Sequence, residues 1–600
     1  MPSKTALTRR RVLELLGAGA AGSVLLAACG QSKQAQESKV AEFHGGTDYV
    51  VPPKGHFNLL TGVTDGILSD SYFVDLVIAP SAMYKWKERE WVPMLAEKWN
   101  LDKAANTFTL TLKQGLKWSD GKPITSKDVL TTFWCLRVMR NVSWDYLEKV
   151  EAPDEQTVVF TMKRPSTVLE RYVLRQQIVS DASYGTFAKQ AEELFGGGGD
   201  LDSPEGKKLN TDLQAFRPEK AIASGAFDYD YKSITNAQLT FVKNETGYGA
   251  DKVAFDKVVV FNGETADITP VVLSKDVDYA THGFPPATEK QLGSKGFRII
   301  RPPVYSGPAL LFNLDKVAEF KDLRVRQALA YAIDRTENGE VSLGESGKGV
   351  KFMAGFSDNL VPEWLSAEEQ GKLATYDHDP DRAAALLTSA GWKKSGKTWQ
   401  KPDGKPATYE LIFPGEYVDW AAAGTNVGQQ LTAFGIAIEP RGVNHIQQPI
   451  DVDKGNFQLA IQGWGTSSHP HPHFAFVQDL FTHNIPTAAN NGGRGMGFEL
   501  AQTTEALGKV DLEKVVLEAG EGLDEAQQKK NVTTASIAFN ELLPMLPLFE
   551  RYGNNPALEG VRVDKWPADG DPLLMNSPYA DNFTIMLMYS GELKPVATSG

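Results

Sequence analysis

The alternation of polar and apolar residues changes period several times along the chain, and each change marks an element. Thr107-Phe108-Thr109-Leu110-Thr111-Leu112 alternates strictly, the pattern of a strand with one buried face. Asp120-Gly121 reads as a turn, and Thr125-Ser126-Lys127-Asp128 as a capping box opening a helix through Val129 and Phe133. Within 324–335, Val325, Ala328, Leu329, Ala332 and Ile333 recur at helical spacing, with Asp322 as the cap. Asp379-Pro380 supplies cap and first-turn proline for a helix through Ala383, Leu386 and Leu387 that Gly391 stops. A strand over 409–413, a helix around 418–434, and strands over 436–439 and 457–461 follow. That order predicts an α/β unit around a largely buried sheet. No fixed-period repeat is present, which argues against solenoids and propellers. Gly196 to Gly199 with Gly206 read as a flexible surface insertion.

The chain opens differently. Thr8-Arg9-Arg10-Arg11-Val12-Leu13 has the twin-arginine pattern of a bacterial export signal. The apolar run from Leu15 to Ala28 is shorter than the about 20 residues a bilayer span needs, so residues 1–28 read as a signal peptide. It closes on Leu26-Ala27-Ala28-Cys29, which resembles a bacterial lipobox. On that reading Cys29 is lipidated, and several acyl chains hold the protein on the outer face of the cell membrane. Polar residues follow it, and 29–44 is expected to be a flexible tether. Cys135 is the second of 2 cysteines, so no intrachain disulfide is expected. Its neighbours Phe133, Trp134 and Leu136 predict a buried, inert thiol.

With 600 residues and 42% hydrophobic content the chain can build two or three domain cores. A net charge of −13 without any long basic run argues against nucleic acid as a partner. Candidate chemistry concentrates in Gly463-Trp464-Gly465-Thr466-Ser467-Ser468-His469-Pro470-His471-Pro472-His473-Phe474. It follows the strand expected over 457–461, and open α/β sheets bind ligands beyond the carboxyl ends of their strands. This stretch is therefore expected to form a pocket wall. His469, His471 and His473 would converge if the stretch were a strand. His469 and His471 each precede a proline, however, which favours polyproline II and diverging rings. No metal site and no cofactor are assigned. No His-Glu-x-x-His, Gly-x-Ser-x-Gly or P-loop pattern occurs, so no catalytic residues are assigned and the protein is not expected to be an enzyme. A secreted metal-dependent hydrolase using the histidines of 469–483 is the remote rival.

Ordered blocks carry a family resemblance. Pro93 to Trp99, Phe108 to Lys113, Gly115 to Thr125 with Asp128-Val129, Phe312-Asn313 with Asp322 to Asp334, Asp381 to Gly391, and Leu543 to Phe549 resemble extracellular solute-binding protein family 5 over roughly residues 45–590. These are receptors of ABC importers for peptides, with relatives taking oligosaccharides or nickel. The resemblance implies a two-lobed α/β clamshell of the type II periplasmic-binding-protein kind, with an additional α+β domain in its N-terminal half. The expected division is 45–75, 221–305 and 535–600 in lobe I, 76–220 in the extra domain, and 306–534 in lobe II. A small solute would be trapped between the lobes and passed unchanged to ABC permease subunits, the receptor acting as a monomer. The expected ligand-binding residues are Trp464, Gly465, Ser467, Ser468, His469 and Asn313. Peptide-binding relatives resemble Gly-Trp-x-x-Asp here, the aspartate pairing with the peptide amine. Ser467 stands in its place, and burying an ammonium without a counter-charge costs several kcal/mol. A neutral Ser467 better suits hydroxyl-bearing or blocked ligands. Arg441 and Arg494 are candidates for a carboxylate. Peptides are the favoured class, ahead of oligosaccharides and nickel.

Overall fold

The structure, a computed structural model, describes residues 40–61, 66–68, 71–485 and 493–597. The expectations for the signal peptide, Cys29 and most of the tether lie outside the described residues. Two sheets organise the molecule. The first orders seven strands as Arg298–Ile300, Asn555–Ala557, Tyr279–Ala280, Glu42–Thr47, Lys257–Asn262, Gln238–Lys243 and Phe227–Tyr229. The second orders five as Ala437–Val443, Thr408–Pro414, Leu459–Gly465, Ser306–Phe312 and Met545–Pro547. Each contains a parallel trio: Glu42–Thr47 runs with Lys257–Asn262 and Tyr279–Ala280, and Thr408–Pro414 with Ala437–Val443 and Leu459–Gly465. Central strands such as Ser306–Phe312 are covered on both faces, hence their unbroken apolar runs.

Each sheet anchors one lobe. Leu310, Phe312, Leu411, Ile461 and Phe539 pack into one core around the second sheet. The first sheet shares its core with the extra domain, where Phe108, Phe133 and Phe160 join the cluster of Phe43 and Phe241. In that domain the helix Ser126–Val138 packs on a four-stranded antiparallel sheet. Its capping box forms as expected, the Thr125 amide donating to Asp128 Oδ2 at 2.8 Å.

The chain crosses between lobes through two adjacent antiparallel segments. Val304 N donates to Arg551 O at 3.0 Å and Gly553 N to Pro302 O at 2.8 Å. Two short paired connections between separately packed bodies are the construction of a hinge. Where the first crossing enters the second sheet, a Cβ on Gly307 would lie 2.0 Å from the Phe549 carbonyl, so glycine alone fits.

Several elements differ from expectation. The helix expected over 324–335 ends at Ala332, because Asp334 instead caps a new helix, Arg335–Leu343, by accepting from Glu337 N. Gly206 is buried inside the helix Pro204–Ala215, where a Cβ would meet the Asp200 carbonyl at 2.2 Å. It serves close packing and not a flexible insertion. Glu42–Thr47 is already a paired strand, so residues 42–44 are no tether. The helix Glu525–Leu542 and strand Met545–Pro547 belong to the second core, and the chain returns to the first sheet later than position 535. Cys135 is buried, and burial pushes its thiol up to about 12. Among the described residues no helix is long and apolar enough to cross a membrane.

Candidate functional site

The carboxyl ends of both parallel trios converge. Between them lies a cavity of about 190 Å³ lined by Asp48 and Tyr49 from the first lobe and by Tyr417, Trp420, His445 and Gln462 from the second. A larger cavity of about 650 Å³ lies between the Met83–Met94 region and the last helix, Phe583–Ser590. It borders one lobe and the extra domain alone, so strand geometry selects the smaller cavity as the cleft.

Sequence explains each lining group's position. Asp48 and Tyr49 follow the strand Glu42–Thr47 directly. Tyr417 and Trp420 sit at the first turn of the helix Val418–Phe434 that follows Thr408–Pro414. His445 follows Ala437–Val443, and Glu416 holds its loop by accepting from Asn444 Nδ2 at 2.8 Å and from His445 N at 2.9 Å. The Tyr417 and Trp420 rings meet edge-on at 5.8 Å.

Charge crosses the cleft. His445 Nε2 lies 3.3 Å from Asp48 Oδ2, and that hydrogen bond raises the imidazole above its ordinary value. Burial pushes the Asp48 carboxyl up, but hydrogen bonds from His445 and Glu264 outweigh it and hold the group low. Burial, then the Asp48 charge, drives Glu264 well above the usual carboxylate range. From the hinge, Arg551 Nε approaches Asp419 of the second lobe to 2.9 Å. Arg551 also bonds Tyr579, whose hydroxyl donates to Thr281 O of the first lobe at 2.9 Å. The lobes approach so closely here that a Cβ on Gly283 would fall 2.6 Å from the Asp419 carboxyl.

The bend that the sequence singled out does different work. The strand expected to end at 461 runs to Gly465, paired with Ser306 and Gly307. Trp464 is therefore an in-sheet residue, 1% exposed within the second core, and not a ligand-facing ring. Its two glycine neighbours, Gly463 and Gly465, disguise the strand. Gly465 turns the chain at φ 65°, its amide donating to Asp479 Oδ1 at 2.9 Å. Ser467 is half-buried in the turn that follows. Ser468 O and His469 Nδ1 accept from Arg171 of the extra domain at 2.6 and 2.8 Å. Arg171 in turn pairs with Asp581 at 2.6 Å, as Arg175 does at 3.0 Å. Asn313 is 2% exposed and committed to scaffold: its amide donates to Gly455 O and Phe457 O at 2.9 and 3.0 Å, and its oxygen accepts from Lys316 N at 2.9 Å. Arg441 pairs with Glu410 and Arg494 with Glu499, both half-exposed and outside the cavity lining.

The rings of His469, His471 and His473 all pack around Phe474, at centroid distances of 3.9, 6.3 and 5.2 Å, and make different hydrogen bonds. His471 caps the helix Pro472–Val477, accepting from His473 N at 3.1 Å. His473 Nδ1 donates to Val516 O at 3.0 Å, while its Nε2 lies 3.2 Å from Tyr172 Oη. His483 Nε2 donates to Gly463 O at 2.9 Å. Burial depresses all of them, His469 well below its ordinary value, His471 to about 3, and His473 and His483 to about 4. Among the described residues no three His, Cys, Asp or Glu side chains group as metal ligands. The cleft residues Asp48, Tyr417, Trp420 and His445 escaped sequence reading. Their one signal was position immediately after a strand, shared by many residues.

The profile of the bacterial extracellular solute-binding proteins, family 5, middle part, matches residues 90–484. A protein of Brucella ovis named as an ABC transporter peptide-binding protein is 25% identical over 423 residues, covering 70% of each chain. The dipeptide-binding protein of Escherichia coli is 24% identical over 426 residues, covering 65% of this chain and 71% of that protein. The fold is similar to that of a periplasmic oligopeptide-binding protein from Thermotoga maritima solved with mannohexaose bound. The TM-score is 0.73 at 19% identity, over 93% of this chain and 99% of that one.

Proposed function

The chain belongs to family 5 of the bacterial extracellular solute-binding proteins, and from that premise we propose that it is the capture subunit of an ABC importer, taking peptides. It closes two lobes on a solute and hands it unchanged to membrane permeases. The observation that carries this is the cavity where the carboxyl ends of two parallel trios meet across a paired hinge. Enclosure between hinged lobes lets the difference between open and closed states be read by a transporter. Peptide is the favoured class because the relatives just named are peptide-binding by name. The neighbour solved with mannohexaose keeps oligosaccharides as the second reading, since Tyr417 and Trp420 offer rings on which a sugar can stack. Anchoring through lipidated Cys29 after removal of 1–28 completes the proposal.

The test combines scattering with mass spectrometry. Purified protein is mixed with peptide pools or mannohexaose, its compaction is followed by small-angle scattering, and the bound solute is recovered and weighed. Compaction with an unaltered solute is expected. A solute recovered as a cleavage product would end the proposal.

A further inference from the structure

The extra domain touches both lobes, in two different ways. With the first lobe it shares one continuous core, in which Phe108 and Phe160 cluster with Phe43 and Phe241. Against the second lobe it presents a polar seam. The loop before its helix Val168–Leu174 lies along the turn between the helices Leu512–Gly520 and Glu525–Leu542, and Ser166 pairs with Gly522 as a parallel bridge. Gly522 N donates to Pro165 O at 2.6 Å, and Thr167 N to Gly522 O at 3.2 Å. Ser166 Oγ donates to Gly520 O, and Gln528 Nε2 to Thr167 Oγ1 at 2.8 Å. Two ion pairs flank these bonds, Arg164 with Glu521 at 3.1 Å and Arg89 with Glu525 at 3.3 Å. The apolar part of the seam is small, a cluster of Tyr146 and Val168 from the extra domain with Phe474 from the second lobe. At its far end Arg171 donates to Ser468 O and His469 Nδ1, so the histidine-rich bend is one side of this contact.

The two contacts differ in what it takes to separate them. A continuous core ties the extra domain to the first lobe, whereas a narrow polar seam between domains can part, with water replacing each hydrogen bond lost. A body held both at its hinge and at a second attachment cannot rotate. The cleft therefore opens about the crossings at 302–304 and 551–553 only when the seam parts. None of the seam residues lines the cavity.

We infer that the extra domain is a catch, closing on the second lobe at 164–167 against 520–528 and at Arg171 against the 468–469 bend, and setting how long a captured solute stays. The inference rests on solute capture in the cleft. Contacts inside the cavity then choose the solute, and the catch governs its release, since a guest enclosed between lobes leaves only through the open state.

Hydrogen–deuterium exchange of the whole chain, read by mass spectrometry, tests this. In the free protein the segments 163–168 and 518–524 should exchange together, at least tenfold faster than the central strand Ser306–Phe312, because a catch opens without global unfolding. A pool of di- and tripeptides, or mannohexaose, should slow both segments at least tenfold where it is retained after gel filtration. Arg164→Gln combined with Thr167→Val should release a retained probe about tenfold faster, as loss of an ion pair and a hydrogen bond outside the cavity predicts. Exchange of the two segments at the rate of the strand, or at rates unrelated to one another, overturns the inference while solute capture stands. So does a retained probe that leaves their exchange unchanged, or an unaltered release rate in a folded double variant. If no probe is retained, solute capture falls, and exchange in the free protein still decides whether the seam opens. The exchange comparison needs no variant, so a poorly folding double variant does not remove the test.

Discussion

Replacing Asp581 by asparagine measures how strongly the ion cluster under the 466–469 bend holds the two halves together. The Asp581 side chain is 0% exposed and Arg171 6%. The carboxylate accepts from Arg171 Nη2 at 2.6 Å, Trp86 Nε1 at 3.0 Å and Tyr84 N at 2.9 Å, and pairs with Arg175 Nε at 3.0 Å. Arg175 keeps a second counter-charge, Asp75 at 3.1 Å. Arg171 has no other carboxylate among the described residues, and its Nη1 already lacks a partner. Asp581→Asn therefore strands one buried guanidinium, while the new amide still accepts from a neutral donor. Breaking a buried pair by removing one partner costs about 3–5 kcal/mol. Denaturant unfolding followed by tryptophan fluorescence should register that loss. Adding Arg171→Met removes the stranded charge and keeps much of the side chain's length, so the double variant should recover at least about 1 kcal/mol relative to Asp581→Asn alone. A loss below about 1 kcal/mol, or strictly additive variants, would refute the reasoning.

Two further outcomes follow from burial and charge. Trp464→Ala should cost about 3–5 kcal/mol of stability through the cavity left in the second core, with solute affinity of the folded fraction unchanged. An affinity loss at unchanged stability would return Trp464 to the ligand site. Because Asp48 raises His445 above its ordinary value of about 6.5, the cross-cleft pair contributes fully below that pH. Its contribution is lost as pH rises through the folded-state value. Scattering across that window should find the unliganded protein less compact on the alkaline side, and His445→Gln should flatten the profile. A wild-type profile independent of pH would remove the pair from lobe closure.

Local order was legible where a pattern has one physical solution. The alternation over Thr107–Leu112, the Thr125–Asp128 capping box and the Asp379-Pro380 helix start each need only neighbouring residues to form. Errors fell where local signals compete. Asp334 reads equally as the end of one helix and the cap of the next. The glycines at 463 and 465 suppress a strand signal, although pairing with Ser306–Phe312 extends the strand through Trp464.

By itself the sequence determined the mixed α/β character and the buried Cys135, consequences of residue order and hydrophobic period, and its ordered motifs pointed to the family. The cleft's chemistry was decided by tertiary structure. Asp48, Tyr417, Trp420 and His445 come from three segments, after the strand Glu42–Thr47, at the start of the helix Val418–Phe434 and after the strand Ala437–Val443, and no local pattern relates them. Folding brings them together because both parallel trios end at the same gap, and that convergence is a property of two packed sheets across a hinge.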